Sequence, residues 1–182
     1  MRPSKWRFET LLDLIKENDY KKYLEIGLGA GTTMAYLMNH IKDPEVFFYG
    51  IDPYKAYGGL HKRGLKFKQE AFDANKRRVE NLFWSNKRSK FYNIFAHDAT
   101  ERFPDNFFDI IFIDGNHTYG YVLQDLKDWY PKLREGGTFA GHDYYSKVGH
   151  HYYCVTKAVE EFAKSINKNV LTAPDHVWYF KK

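Results

Sequence analysis

The sequence predicts a doubly wound α/β fold: a mostly parallel sheet, helices on both faces and an antiparallel hairpin at the C-terminal end. Three observations predict it. An apolar strand pattern at residues 22–26 runs into Gly27-x-Gly29-x-Gly31 and then into an amphipathic helix. Strand-like and helix-like stretches then alternate along the chain. Successive strands also end in acids. Together these describe a Rossmann-like sheet of seven strands whose carboxyl ends gather polar side chains.

Taken in order, Phe8, Leu11, Leu12 and Ile15 space a first amphipathic helix that ends near Asn18-Asp19. Tyr23, Leu24 and Ile26 give the first strand its character. After the glycines, Thr32 and Thr33 are placed to cap a helix, and Met34, Leu37, Met38 and Ile41 recur at i, i+3, i+4 and i+7. Residues 46–51 are almost continuously apolar and aromatic, as suits a strand buried on both faces, and they end in Asp52-Pro53-Tyr54.

Phe72, Val79, Leu82 and Phe83 mark the next helix. Residues 91–96 read as the third strand, ending in His97-Asp98-Ala99. Residues 107–113 read as the fourth, ending in Asp114-Gly115-Asn116-His117. Val122, Leu123, Leu126, Trp129 and Tyr130 mark a helix stopped by Pro131 and Gly136-Gly137. Residues 138–141 make the fifth strand, ending in His142-Asp143-Tyr144. Val155, Ala158, Val159, Phe162 and Ala163 form the last helix, and residues 169–172 and 176–180 flank Ala173-Pro174-Asp175 as a hairpin.

Ligands of such sheets bind beyond the carboxyl ends of the strands. Glu25, Asp52, Asp98, Asp114 and Asp143 should therefore line one crevice. Asp109 begins its strand and should lie at the opposite end.

The composition is globular, 43% hydrophobic and 28% charged, with a net charge of +5 that does not by itself imply nucleic acid. A single domain over residues 1–182 is expected. No run of 18 apolar residues exists, the N-terminus carries no apolar signal segment, and Cys154 is the one cysteine. A cytoplasmic setting with no membrane contact is the expectation. Residues 55–90 hold 11 Lys or Arg against 3 acids. That stretch is either a solvated helix face or a patch for an anionic partner.

The glycine turn disfavours two ligands. A dinucleotide fingerprint needs glycine where Thr32 stands, and a P-loop needs a lysine the turn lacks. An acid at the strand end repels pyrophosphate and suits a cation. The pattern Glu25-x-Gly27-x-Gly29-x-Gly31 resembles the first motif of the class I S-adenosylmethionine (SAM) dependent methyltransferases.

The resemblance implies that Gly27, Gly29 and Gly31 pass under the methionine portion, with Glu25 nearby and Thr33 beside the carboxylate. Asp52 would hold the ribose hydroxyls, Tyr54 would lie against adenine, and Asp98 with Ala99 would hold the exocyclic amine. Asp114 would stand beside the methyl group.

Residues 113–119, Gly136-Gly137 and 141–144 are similar to small O-methyltransferases, including sugar and, more distantly, catechol types. That likeness implies a hydroxyl acceptor on a small molecule or sugar. It also implies a divalent ion, Mg²⁺ or Mn²⁺, on Asp114, His142 and Asp143, and His117 at the position of the catechol-type lysine base. Histidine replaces the first acid of the chelating pair. That leaves three arrangements open: a metal such as Mn²⁺, a metal-free enzyme with His142 or His117 as base, or a lost site.

Tyr54, Tyr57, Tyr144, Tyr145, His150, His151, Tyr152 and Tyr153 would furnish the entrance, with 145–153 as a lid and a second copy of the chain as a candidate to complete the pocket. An RNA methyltransferase using residues 55–90, or a SAM-binding protein without catalysis, are the competing readings. The amino-methylating motif is absent after the fourth strand, and no Lys-Asp-Lys-Glu set is evident, so nucleic acid is not the expected acceptor.

Overall fold

The computed structural model describes residues 4–56, 68–145 and 151–182, and of residues 151–153 the backbone alone. The chain runs α1 (Arg7–Glu17), β1 (Lys22–Ile26), α2 (Thr32–His40), β2 (Phe47–Ile51), α3 (Gln69–Trp84), β3 (Ser89–Tyr92) and α4 (Ala96–Ala99). A short 3₁₀ turn (Thr100–Arg102) leads to β4 (Phe108–Ile113), α5 (Tyr119–Trp129), β5 (Leu133–Gly141), α6 (His151–Ser165), β6 (Leu171–Ala173) and β7 (Val177–Lys181). The strands form one seven-stranded sheet in the order β3-β2-β1-β4-β5-β7-β6. All pairings are parallel except those made by β7, which lies antiparallel between β5 and β6.

Side chains alternate across a strand, and the core divides accordingly. Tyr23, Ile110, Phe112 and Ala140 pack with α1, α2 and α3 on one face. Their neighbours Leu24, Ile111, Ile113 and Phe139 pack with α5 and α6 on the other. Fully burying one such aliphatic or aromatic side chain contributes about 1.5–3 kcal/mol. With both faces covered, the central strands are apolar throughout, as the sequence pattern indicates.

Asp109 lies at the opposite end of the sheet, as expected. Its Oδ2 accepts the amides of Lys21 and Lys22 at 2.8 and 2.7 Å, and its Oδ1 accepts from the Arg134 guanidinium.

Two elements differ from the sequence reading. The third strand is residues 89–92, not 91–96, and His97, Asp98 and Ala99 form one turn of helix rather than a strand end. β3 pairs on one side only, so nothing extends the ladder past Tyr92, and Ala99 drops into the core as α4 packs against α5. The fifth strand begins at Leu133 and runs through Gly136-Gly137. Gly136 adopts φ +72 and the β4–β5 register shifts between Phe108 and Ile110, so the glycines form an irregularity within the strand.

Of the basic stretch, residues 57–67 lie outside the described residues. α3 buries only Val79 and Phe83, and Trp84 is 93% exposed. Arg88 is spent internally, donating to the carbonyls of Ile41 (3.1 Å), Asp43 and Val46 (3.3 Å). No helix among the described residues is long and apolar enough to cross a membrane.

Candidate functional site

Chain order reverses about β1, with β2 on one side and β4 on the other. A crevice at the carboxyl ends follows from that reversal. A cavity of about 420 Å³ lies there, within the range of small-molecule sites. One part of its wall is Gly27, Gly29 and Asp114; Ile51, Asp52 and Pro53 continue it, and Phe95, Ala96, His97, Tyr121 and Asp125 also line it.

The glycine turn is built by close approach. Gly27 sits at φ +85, and a Cβ on it would lie 2.3 Å from the carbonyl oxygen of Asp114. Only glycine fits between β1 and the end of β4. Gly29, at φ +52, faces open space. Asp52 closes the turn: its Oδ2 accepts the amides of Leu28 (3.0 Å) and Gly29 (3.1 Å), and its Oδ1 accepts that of Tyr54 (2.8 Å). Burial raises the pKa of Asp52, and the three amide bonds partly oppose the rise.

Several residues assigned to the cofactor from sequence do not line the cavity. Gly31 is the N-cap of α2 at φ +73, close against Val79. Thr33 is buried and accepts a bond from Arg7 Nε at 3.2 Å. Glu25 is buried, with Oε2 accepting from the Tyr23 hydroxyl at 3.2 Å. Burial drives its pKa well up, nearby Asp114 adds to the rise, and Arg7 and Tyr23 oppose it.

Tyr54 does not line the cavity. Its ring is buried in an edge contact with Phe91, and its hydroxyl donates to the Gly29 carbonyl at 2.7 Å, so it props the glycine turn from beneath. Asp98 is not among the residues that line the cavity; 56% of its side chain is exposed and it pairs with His97 at 3.1 Å, while Ala99 is a core residue.

Beside Asp114 the structure brings together residues from two strand ends, those of β4 and β5. His117 Nε2 lies 3.5 Å from Asp114 Oδ1 and 3.2 Å from Asp143 Oδ2. His142 Nδ1 lies 3.7 Å from Asp114 Oδ1 and 3.5 Å from Asp143 Oδ2. Asp143 takes φ +61, a left-handed conformation that short polar residues tolerate. Burial lowers the pKa of both imidazoles, but the two carboxylates outweigh it and leave both raised.

Among the described residues, the three side chains whose ligand atoms lie within 4.8 Å of one another are Asp114, His117 and Asp143, not the set with His142. His142 is the more enclosed histidine, 11% exposed against 35% for the His117 side chain. Its Nε2 is buried without a hydrogen-bond partner, facing Asp175 at 3.8 Å.

The sequence pattern gives no site role to Arg7, Asp175 or Asp125. Arg7 reaches in from α1, its Nε 3.7 Å from Asp114 Oδ2 and its amide donating to Asp175 Oδ2 at 3.0 Å. Asp175 sits in the β6–β7 turn, docked where Tyr144 N donates to His176 O at 3.0 Å. No local pattern marks Arg7 or Asp175. Asp125 carried a signal, an acid three residues past Val122 on an apolar stripe. Of the entrance aromatics, Tyr144 is buried and Tyr145 exposed, while Tyr57 and the side chains of 150–153 lie outside the described residues.

Comparison with known proteins places this geometry in a family. Residues 24–144 match the family described as a methyltransferase domain. An uncharacterized protein of Acanthamoeba polyphaga mimivirus is 30% identical over 128 residues, covering 70% of this chain; the chain spans about half (53%) of that relative's length. The O-methyltransferase NovP shares the fold at a TM-score of 0.70 and 16% identity, over 97% of this chain and 79% of NovP. The spermidine synthase of Thermotoga maritima shares it at 0.58 and 18% identity, over 95% of this chain and 57% of the enzyme. Neither likeness reaches beyond the fold. The family match covers most of the sheet and every strand end of the cavity, and on it the chain belongs to the methyltransferase domain family, the class I SAM-dependent methyltransferases.

Proposed function

We propose that this chain transfers the methyl group of SAM to a hydroxyl on a small molecule or sugar. The observation that carries the reading is the meeting of Asp114, His117 and Asp143 beside the glycine turn. The sulfonium and ammonium of SAM suit the end of the cavity bounded by Gly27, Gly29 and Asp114, and Asp52 suits the ribose. The acceptor then enters from the side of His117 and Asp143.

A hydroxyl attacks poorly until its proton leaves. His117 is the better base of the two histidines because its side chain is the more open. With Nε2–H held by Asp143, its Nδ1 is free to take the acceptor proton, and the paired carboxylates steady the imidazolium that forms. The acceptor oxygen forms the new C–O bond as the C–S bond breaks, and its electron pair stays on sulfur to give neutral S-adenosylhomocysteine. Orientation of oxygen, methyl carbon and sulfur in line supplies much of the acceleration.

Two carboxylates and an imidazole also suit Mg²⁺ or Mn²⁺. Held by Asp114, His117 and Asp143, such an ion would lower the pKa of an acceptor hydroxyl.

The test is S-adenosylhomocysteine release from SAM across a panel of sugars and phenols, with and without chelator. Turnover on a hydroxyl acceptor, reduced about 10²–10⁴-fold in His117→Ala, is the expected result. Tight SAM binding with no transfer to any hydroxyl would favour a non-catalytic SAM-binding protein. Transfer to nitrogen or carbon alone would overturn the acceptor assignment.

A further inference from the structure

α5 buries one stripe against the sheet: Val122, Asp125, Leu126 and Trp129. Three of these are apolar, as the spacing i, i+3, i+4, i+7 requires of a core-facing helix. The fourth is an acid. Asp125 is 9% exposed, and that exposure opens into the cavity it lines. Among the described residues it has no hydrogen-bond or ion-pair partner. Its Oδ2 would stand 3.8 Å from a Cβ placed on Gly115, the residue after Asp114, so the carboxyl lies under the cavity rather than on the outer surface. Buried carboxyls are normally paired, and leaving one unpaired is costly. A ligand donor is the partner this position lacks.

We propose that Asp125 recognises the exocyclic amine of the cofactor's adenine. This rests on the reading of the cavity as the SAM site. SAM offers three sets of donors. Its ammonium belongs with the charged methionine end, beside Gly27, Gly29 and Asp114. Its ribose hydroxyls belong with Asp52. The adenine amine remains, and Asp125 is the remaining carboxylate in the wall.

The surroundings suit a flat base: Pro53, Phe72, Phe95 and Tyr121 supply apolar and aromatic surface around the same cavity. Asp98, the acid assigned to this amine from sequence, does not line the cavity and pairs with His97. Burial, with the nearby charge of Asp128, pushes the Asp125 carboxyl up to about 7. Near neutrality both its forms are therefore present. The ionised form, dominant at about pH 8.5 where the titration below is run, accepts from the amine and is repelled by a ring carbonyl.

The test compares two ligands by calorimetric titration of the whole chain: S-adenosylhomocysteine, and S-inosylhomocysteine, whose ring carries a carbonyl in place of the amine. The wild type should prefer the adenosyl ligand by about tenfold or more, the scale of one buried hydrogen bond to a charged group. Asp125→Leu, which completes the apolar stripe, should weaken the adenosyl ligand by a similar factor and abolish the preference.

Equal affinity of the wild type for both ligands would overturn the assignment without reference to any variant. So would an Asp125→Leu protein that keeps the full preference, or one that weakens both ligands alike, as a purely structural role would. Failure of the wild type to bind either ligand would instead sink the cofactor reading, and this inference with it.

Discussion

The Asp52 carboxylate accepts the backbone amide of Gly29 at 3.1 Å, and that of Leu28 at 3.0 Å on the same oxygen. The end of β2 therefore fixes the turn after β1 before any ligand arrives. Preorganisation of this kind lowers the ordering cost of binding. Asp52→Ala should destabilise the fold by about 2 kcal/mol and weaken S-adenosylhomocysteine at least about tenfold. Asp52→Asn keeps an acceptor oxygen and should lose less of both. Urea denaturation and calorimetric titration of the two variants check the order.

Gly27 and Gly29 separate crowding from backbone conformation. Both have positive φ, but only Gly27 is pressed against Asp114. Gly29→Ala should cost about 1–2 kcal/mol for its left-handed conformation. Gly27→Ala adds a clash of backbone on backbone and should cost more than about 3 kcal/mol, with loss of cofactor binding. Equal melting temperatures for the two variants would contradict the close approach of β1 and β4.

The sheet, its helices and the end of the molecule that carries the site were legible because each rests on local periodicity. Asp109 shows how far that reaches: its place at the start of a strand was enough to put it at the far end. The site's interior was less legible. Phe91 to Ala96 is apolar enough to pass for a strand, but a one-sided ladder ends at Tyr92 and leaves Asp98 in the helical turn that follows. Tyr54 follows an acid at a strand end, yet the demand for burial and the open carbonyl of Gly29 draw it under the turn. Arg7 and Asp175 meet across 168 residues of sequence, and no spacing rule spans that. Asp125 was passed over because acids on helices are usually solvated.

Tyr54→Phe isolates the prop under the turn. One buried hydrogen bond, to the Gly29 carbonyl, is removed and an acceptor is left without its donor. The expected loss is about 1–2 kcal/mol of stability. S-Adenosylhomocysteine affinity should fall only a fewfold, because the ring does not line the cavity. A loss of affinity as large as that of Asp52→Ala would mean the ring touches the ligand after all.

Asp125 gives a pH signature. Its folded pKa, about 7, is raised above the ordinary aspartate value of 3.8. The folded state therefore binds more protons than the unfolded state between those values, and this residue's contribution to stability falls as pH rises through that window. Asp125→Asn removes the titration. Relative to wild type the variant should gain about 2–4 kcal/mol on going from pH 4 to pH 8, with no further gain above. Paired denaturation curves across that range read the difference directly, and a flat difference would remove the burial argument.

Arg7 neutralises the acids around Asp114 and Asp175. Arg7→Gln should lower the melting temperature of the metal-free protein, because carboxylates then face one another uncompensated. In millimolar Mn²⁺ the variant should recover more of its melting temperature than the wild type gains, since binding to the folded state stabilises it. Asp143→Ala should abolish the Mn²⁺ effect in both backgrounds. A wild-type melting temperature indifferent to Mg²⁺ and Mn²⁺ would remove the metal from the account of the site.

The most direct test of the central claim is a calorimetric titration of the wild-type chain with S-adenosylhomocysteine, with Asp52→Ala as the control. The expected result is one molecule bound per chain with micromolar affinity, and binding severely weakened in the variant. A folded wild-type protein that binds no S-adenosylhomocysteine would contradict the assignment of the cavity to the cofactor, and with it the proposed methyl transfer.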